Sequence, residues 1–233
     1  MSLFSRSKSL LSSGLFNGFT DCHSHILPGV DDGVEEIGES LAILDRYEEM
    51  GIKRVWLTPH VMEDFPNTPS ALRERFEVLR SAYKGNVDLR LGAENMIDSL
   101  FERRLEENDF LPMGPKADHL LVETSYFTPP YSFYDILEKV KSAGYYPVLA
   151  HPERYVYMTS KDHDRLKGMK ILFQLNVFSL AGYYGPSVKK VAEALLKKGY
   201  YDFAGSDIHS ITMLDRWPSR PIGPKSLPEF PAL

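Results

Sequence analysis

The stretch DCHSHILPGVDDG, residues 21–33, combines residue types that serve two different kinds of chemistry. It holds Cys22, the single cysteine of the chain, and the histidines His23 and His25, with Asp32 following. A thiol near histidine is typical of enzymes with a cysteine nucleophile. Imidazole and carboxylate groups are instead typical ligands for divalent ions such as Mn, Fe and Zn. The positions of other polar residues favour the second interpretation.

Those polar residues occur where short apolar segments end. Five of the seven histidines of the chain belong to this set, so histidine is concentrated at these positions. The members outside the opening stretch are His60 in TPH, Glu94 in GAE, Glu123 in LVETS, His151 in AHPER, and Asp207 and His209 in GSDIH. His23 and His25 are two residues apart, as are Asp207 and His209, so each pair would point the same way in an extended chain.

The elements that would position these residues are strands and helices in alternation. Runs rich in Val, Leu, Ile and aromatic residues predict strands buried on both faces. These strands are predicted at 18–22, 52–58, 87–92, 119–124, 146–150, 170–175 and 200–204. Helical spacing of apolar residues predicts helices at 36–51, 69–84, 132–144 and 186–199. Such alternation predicts a parallel sheet, and closing it gives a barrel with its active site at the carboxyl ends of the strands.

A shared face would collect nine side chains with ligand groups, more than one ion needs. A glutamate between two ions can bridge them through its two oxygens, so we predict two or three divalent ions close together. Single members also have structural explanations, since Asp31 and Asp32 before Gly33 suit a turn and Glu123 suits a buried ion pair. The register of the whole set with successive strands favours metal binding.

Composition limits the other function classes. The chain has 233 residues, a net charge of −5 and a pI of about 5.8, without the basic stripe that nucleic-acid binding requires. No run approaches the roughly 20 apolar residues of a membrane helix. We predict a flexible leader at 1–18, with a weak contact to a membrane surface or a partner as the alternative. A single domain at 19–216 and an extended tail at 217–233, which contains five prolines, would follow.

The motifs DCHSHILPGVDDG, TPH, GAE, AHPERY and SDIH resemble those of the polymerase-and-histidinol-phosphatase (PHP) superfamily. Within it they resemble the bacterial tyrosine phosphatases of the CpsB/CapC type, from about residue 19 to residue 210. The resemblance implies an α/β fold, a distorted (β/α)7 TIM-like barrel, with manganese ions, or iron or zinc in their place. It further implies a cytoplasmic phosphatase, recruited to a membrane-bound tyrosine kinase that controls capsule and exopolysaccharide synthesis.

The resemblance also implies roles for individual residues. One ion would be bound by His23, His25, Glu94 and Asp207, a second by Glu94, Glu123 and His151, and a third by Asp32, His60 and His209. Arg154 in AHPERY matches an arginine that binds phosphate. Arg216 is the candidate for a second arginine, although its segment SDIHSITMLDRW departs from the family pattern. Tyr126 and Tyr131, in the aromatic loop at 126–134, are candidate substrate-binding residues, with a role in covering the core as the alternative.

Three rival functions follow from the same residues: a histidinol phosphatase or other small-molecule phosphatase, a PHP exonuclease, and a non-catalytic metal-bound scaffold. A thiol phosphatase is not among them. Such enzymes carry a C-x5-R loop, and the position of its arginine is occupied by Pro28. We therefore predict that Cys22 packs as a small hydrophobic residue and takes no part in catalysis.

Overall fold

The computed structural model describes residues 16–216, 230, 231 and 233. Its strands are β1 (Thr20–Ser24), β2 (Arg54–Leu57), β3 (His60–Val61), β4 (Asp88–Leu91), β5 (Glu94–Met96), β6 (His119–Glu123), β7 (Tyr146–Ala150), β8 (Leu172–Asn176) and β9 (Phe203–Gly205). Its helices are α1 (Ile37–Met50), α2 (Pro69–Ala82), α3 (Phe101–Glu107), α4 (Phe133–Ser142), α5 (Ser160–Gly168), α6 (Val177–Leu180), α7 (Pro186–Lys197) and α8 (Ile211–Asp215). A 3-10 turn, Pro152–Arg154, follows β7.

The described strands form an α/β fold with a curled parallel sheet of half-barrel shape. They pair in two ladders, β1-β2-β4 and β3-β5-β6-β7-β8-β9. Two residues separate β2 from β3 and β4 from β5, so each of these pairs follows one path that passes from the first ladder to the second. Beside β1, the Asp207 amide donates to the His23 carbonyl at 2.7 Å and the His25 amide to the Ile208 carbonyl at 2.9 Å.

Two breaks in the strands direct residues into the carboxyl end of the sheet. The first falls at Pro59, which has no N–H to contribute to a ladder. The second falls at Gly92, where an added Cβ would lie 2.6 Å from Met113 Cγ, so a residue without a side chain fits. Because β3 and β5 restart at His60 and Glu94, both side chains emerge at the end of the sheet.

The sequence-based elements are confirmed for all seven predicted strands and all four predicted helices, with ends shifted by a few residues. The short strands β3 and β5 and the helices α3, α5, α6 and α8 were not predicted. Helix α5 buries only His163 and Leu166, which leaves a weak apolar pattern. Its capping box of Thr159 and Asp162 is the signal that locates its start.

A second, small apolar cluster is formed mainly by residues of the strands. It consists of Cys22, Trp56, Met113, Leu121, Val148, Ala150, Phe203 and Leu233. Arg54 Nη1 donates to the Leu233 carbonyl at 2.9 Å, and Trp56 Nε1 donates to the same oxygen at 3.4 Å. Apart from Phe16–Gly18, Phe230, Pro231 and Leu233, the predicted leader and tail lie outside the described residues.

The contact between β9 and β1 predicts a strong position-dependent effect of alanine at glycine. A Cβ on Gly205 would lie 2.6 Å from His23 Cβ and 2.7 Å from the His23 amide, whereas one on Gly38 in α1 would meet nothing within 4 Å. Gly205→Ala should therefore lower the free energy of unfolding by at least about 2 kcal/mol. Gly38→Ala should raise it by up to about 0.5 kcal/mol. Urea unfolding measures both, and equal effects would refute the close approach.

Candidate metal centre

The nine predicted ligands lie together at the carboxyl ends of the strands. Seven of them are buried: His23, His25, His60, Glu94, Glu123, His151 and Asp207. The other two face solvent, because the side chains of Asp32 and His209 are 57% and 26% exposed. The site therefore has a closed end formed by the strands and an open end at Asp32 and His209.

Four ligand atoms converge in what we call the inner group, His23, His25, Glu94 and Asp207. The Nε2 atoms of His23 and His25 are 3.1 Å apart, and both lie within 3.2 Å of Glu94 Oε2. Asp207 Oδ1 is 3.5 Å from His23 Nε2 and 3.3 Å from His25 Nε2. Ligands about 2.1 Å from one ion would lie roughly 3.0–3.4 Å from each other, so these spacings suit a shared cation.

Glu94 connects the inner group to a second set. Its Oε2 faces His23 and His25 and also lies 3.3 Å from His60 Nδ1, while its Oε1 lies 3.1 Å from His151 Nε2. His60 Nδ1 is also 2.9 Å from Glu123 Oε1. His60, Glu94 and Glu123 form this middle group, with His151 at its side. The two oxygens of Glu94 are thus presented to different imidazoles, as a bridging carboxylate requires.

The outer group consists of His25, Asp32, His60 and His209. Asp32 Oδ1 lies 3.5 Å from the Nε2 atoms of both His60 and His209. The rings of His25 and His209 stack with their centroids 4.0 Å apart. The structure therefore places His60 between the middle and outer groups, with a different ring nitrogen towards each, whereas the family pattern gave it to the third ion alone.

The chemistry of the donors fits divalent cations. Four buried atoms, His60 Nδ1, Glu94 Oε2, Glu123 Oε1 and His151 Nδ1, make no well-aligned hydrogen bond among the described residues, although ring nitrogens and carboxylate oxygens approach one another closely. Buried polar atoms normally have partners, so a concentration of unpartnered ones in one place points to a ligand. Neighbouring carboxylates at this depth would also repel one another without positive charge between them.

Electrostatics differ between the histidines. Burial would lower the pKa of His23, but the carboxylates of Glu94 and Asp207 outweigh burial and raise it to about 9. Burial would likewise raise the pKa of both acids, yet attraction to His23 holds them well below the usual range. Burial and the charge of Arg154 lower the pKa of His151 to about 4, which keeps its ring neutral and able to bind a metal.

Two residues outside the predicted set orient the inner histidines. Gln174 Oε1 lies 3.0 Å from His23 Nδ1, and Asp31 Oδ2 lies 2.8 Å from His25 Nδ1. Each contact occupies the outward nitrogen and leaves Nε2 for the centre. Asp31 Oδ1 also accepts the Gly33 amide at 3.0 Å, so its predicted turn role holds as well. Gln174 gave no sequence signal, because it lies inside β8 and is distant from His23 along the chain.

Two of the six non-glycine residues with positive φ in the described part of the chain are ligand positions. His151 has φ = 34° and Asp207 has φ = 54°, in the left-handed region that residues other than glycine seldom adopt. Each such residue costs on the order of 1–3 kcal/mol, and structures retain the cost mainly at functional sites. The strain turns each side chain into the centre directly after its strand.

The other predicted residues are placed differently. The Arg154 Nη1 donates to Asp207 Oδ2 at 2.5 Å, and its Cζ lies 4.4 Å from the centre of the Tyr126 ring. Tyr131, in contrast, is 95% exposed. Arg216 is exposed at the end of α8 and makes no ion pair with the ligand residues among those that the structure describes. Arg154 and Tyr126 therefore border the centre, and Tyr131 and Arg216 do not contact it.

Cys22 packs in the small apolar cluster and belongs to none of the three ligand groups. Burial is the main cause that raises its pKa, to about 12. A thiol with this pKa is almost wholly protonated at neutral pH and is a poor nucleophile. The opening stretch thus uses its histidines at the centre and its cysteine in packing.

Comparisons with known proteins give the family and the relatives of the chain. Residues 19–219 match the family model for capsular polysaccharide synthesis, CpsB/CapC. The chain is 30% identical over 203 residues to the tyrosine-protein phosphatase YwqE of Bacillus subtilis, covering 82% of this chain and 77% of YwqE. It is 28% identical over 204 residues to the tyrosine-protein phosphatase CpsB of Streptococcus pneumoniae, covering 82% of this chain and 83% of CpsB.

Solved structures also resemble the chain. A crystal structure from work on YwqE and CpsB, described as unique metal-dependent tyrosine phosphatases, superposes with a TM-score of 0.74 at 26% identity. The match covers 83% of this chain and 80% of that structure. The lactonase Lmo2620 of Listeria monocytogenes superposes with a TM-score of 0.53 at 11% identity, which shows a shared fold alone.

The bridging position of Glu94 predicts a change in metal stoichiometry. Protein purified without chelator and soaked in manganese should hold two or three ions per chain by elemental analysis. The Glu94→Gln protein should hold at least one ion fewer, because the two oxygens of Glu94 face two groups of ligands. His119→Asn, at the amino-terminal end of β6, should lose none. A stoichiometry of at most one ion in the unsubstituted protein would contradict the grouping.

Loading should also depend on pH. The raised pKa of His23, about 9, means that the ion-free site binds a proton there below this pH. An ion needs the neutral imidazole and must displace that proton, so apparent affinity should rise with pH up to about 9 and fall on acidification. Calorimetric titration with manganese in two buffers of different ionisation enthalpy measures the protons released. Release of no protons at pH 7 would be inconsistent with this electrostatic arrangement.

The burial of Cys22 predicts chemical inertness. At pH 8 the folded protein should incorporate little iodoacetamide, because the thiol is buried and its pKa is about 12. Unfolding in guanidinium should expose the thiol and give one adduct per chain by mass spectrometry. Cys22→Ala should keep most hydrolytic activity, whereas a strong chelator should remove it and added manganese should restore it. A folded, metal-loaded but inactive Cys22→Ala protein would show instead that the thiol is essential.

Proposed function

The chain belongs to the CpsB/CapC family of capsular polysaccharide synthesis proteins, and we propose that it is a metal-dependent hydrolase of phosphotyrosine in proteins. The observation that carries this proposal is the convergence of nine imidazole and carboxylate side chains, bordered by an arginine. The names of the relatives YwqE and CpsB, both tyrosine-protein phosphatases, support the same reaction.

Two or three divalent ions, most simply manganese, are proposed as the cofactors, with iron and zinc as alternatives. The inner group would hold one ion. The middle group with His151 and the outer group would hold the others. Such ions supply Lewis acidity, which neutralises charge on phosphoryl oxygens and makes water nucleophilic at neutral pH. The protein would fix their positions through Gln174 and Asp31, which orient His23 and His25.

Arg154 is proposed to bind the phosphoryl oxygens. Its guanidinium is planar and can donate two parallel N–H bonds to a phosphate group. The Asp207 carboxylate outweighs burial and raises the pKa of Arg154, so the cation persists at every relevant pH. Tyr126 is proposed to form one wall of the substrate site, because its ring lies against Arg154 and 5.7 Å from the ring of His151. Tyr131 is proposed to meet the protein substrate at the exposed rim, and Arg216 remains the weaker candidate for a second phosphate ligand.

The substrate would be a phosphotyrosine protein, and we propose the tail of a bacterial tyrosine kinase that controls capsule synthesis. A phenolate leaves from phosphorus more readily than an alkoxide, since the pKa of tyrosine is about 10. The location would be the cytoplasm, where kinases obtain ATP, with recruitment to a membrane-bound kinase. Among the described residues, no helix combines the length and apolar character needed to span a bilayer.

The complete architecture is proposed to be a distorted (β/α)7 barrel. Counting β2 with β3 and β4 with β5 gives seven strand paths. The hydrogen bonds from Asp207 and His25 to the backbone across the gap between β1 and β9 support closure. A barrel would surround the metal centre on all sides except at its carboxyl end.

A substrate panel separates this function from its rivals. The metal-loaded protein should hydrolyse a phosphotyrosine peptide with a higher kcat/KM than histidinol phosphate or sugar phosphates. It should leave labelled single-stranded DNA intact. A preference for histidinol phosphate would instead indicate a small-molecule phosphatase, and activity on none of these substrates would favour a scaffold.

Substitutions test the roles of the ligands and of Arg154. Asp207→Asn and His151→Asn should lower kcat at least about 100-fold, and asparagine tolerates the positive φ at both positions, so the fold should persist. Arg154→Ala should raise KM for the phosphotyrosine peptide about tenfold or more. His119→Asn, remote from the centre, serves as the control. Near-normal turnover by Asp207→Asn with full metal content would remove Asp207 from the site.

A further inference from the structure

The guanidinium of Arg154 contacts two aromatic rings. Its Cζ is 4.4 Å from the centre of the Tyr126 ring and 4.1 Å from the centre of the Tyr184 ring. Tyr126 belongs to the loop after β6, whereas Tyr184 belongs to the turn between α6 and α7. Both distances are within the range of cation–π attraction. Two rings from different loops therefore contact the guanidinium of Arg154.

The plane of the guanidinium is fixed by a polar connection through Asp207. Arg154 Nη1 donates to Asp207 Oδ2 at 2.5 Å, and Asn176 Nδ2 donates to the same oxygen at 2.9 Å. Asn176 Nδ2 also lies 3.2 Å from the hydroxyl of Tyr184. Tyr184, Asn176 and Asp207 thus form one connected unit around Arg154.

This unit is itself held rigidly. Asn176 is the last residue of β8, and its Oδ1 accepts the Phe178 amide at 2.9 Å at the start of α6. Asp207 uses its other oxygen, Oδ1, towards His23 and His25 in the inner group. Among the described residues, Nη1 is the only guanidinium nitrogen of Arg154 with a hydrogen-bond partner. The other in-plane donors are available to a ligand.

We propose that Tyr184 is a positioning residue, which with Tyr126 clamps Arg154 so that its free N–H groups are aligned for phosphate before the substrate arrives. The inference rests on the proposed function and adds a specific role to a residue outside the predicted site. An arginine that is already ordered loses less side-chain freedom when it binds phosphate. Loss of one ring should therefore weaken phosphate binding more than it slows the chemical step.

The test compares substitutions of Tyr184 in the metal-loaded protein, with KM, kcat and the inhibition constant of inorganic phosphate as readouts. Tyr184→Leu should raise KM and the phosphate inhibition constant together, by about 5- to 20-fold, for loss of a partly desolvated cation–π contact. Its kcat should fall less than about threefold and its metal content should not change. Tyr184→Phe restores the ring and should return both constants to within about threefold of the parent.

A double-mutant cycle separates positioning from a general structural role. In an Arg154→Ala background, Tyr184→Leu should change either constant less than about twofold, because the group that it positions is gone. Tyr146→Leu, which removes an exposed ring at the start of β7, is the control and should leave both constants unchanged. An undiminished effect of Tyr184→Leu without Arg154, or no effect with it, would overturn the proposal.

Two further measurements cover the cases in which a variant does not fold or the parent is inactive. If Tyr184→Leu does not fold, Tyr184→Met keeps a large apolar side chain without the aromatic face and must show the same pattern. If the parent protein hydrolyses no phosphotyrosine, the proposed function fails. Calorimetry then measures the phosphate affinity of the parent and of Tyr184→Leu. This comparison tests the role of Tyr184 separately from the proposed function. Equal affinities would exclude it.

Discussion

Three carboxylates buried close to one another, those of Glu94, Glu123 and Asp207, impose the main physical constraint on this protein. Negative charges in a low-dielectric interior repel strongly and need positive charge or hydrogen-bond donors beside them. Five imidazoles and the guanidinium of Arg154 surround these acids. A few divalent cations would satisfy all the inward-facing oxygens and nitrogens at once, whereas an apolar core could not accept them. Most other features of the carboxyl end of the sheet serve this arrangement.

The backbone meets the constraint by local departures from regular structure. The breaks at Pro59 and Gly92 restart the strands where His60 and Glu94 emerge. Positive φ values turn His151 and Asp207 inward after β7 and β9. Glu94 and Asp207 then connect separate groups, because each of them presents its two oxygens to different partners. Asp207 is the more consequential, since one oxygen faces the inner histidines and the other holds Arg154. The proposed phosphate-binding arginine and the proposed metal ligands are therefore joined through a single carboxylate.

Much of this arrangement could be predicted from the sequence, for a physical reason. Parallel strands share one carboxyl end, so histidines and acids that follow successive apolar runs must meet, whatever the details of the connections. No such rule applies to the residues that were not predicted. Gln174 and Asn176 lie within or at the end of a strand and act through contacts distant along the chain. Tyr184 lies in a turn, and a tyrosine there is too ordinary to signal a role. Strands of two or three residues, such as β3, are too short to give a periodic pattern.

We propose that the buried imidazoles and carboxylates form a multinuclear metal centre. Anomalous diffraction at the manganese absorption edge, from crystals grown with manganese, tests it most directly. Two or three peaks are expected, with one among His23, His25, Glu94 and Asp207 and another on the opposite side of Glu94. A single peak elsewhere on the molecule, or none at the carboxyl ends of the strands, would contradict it.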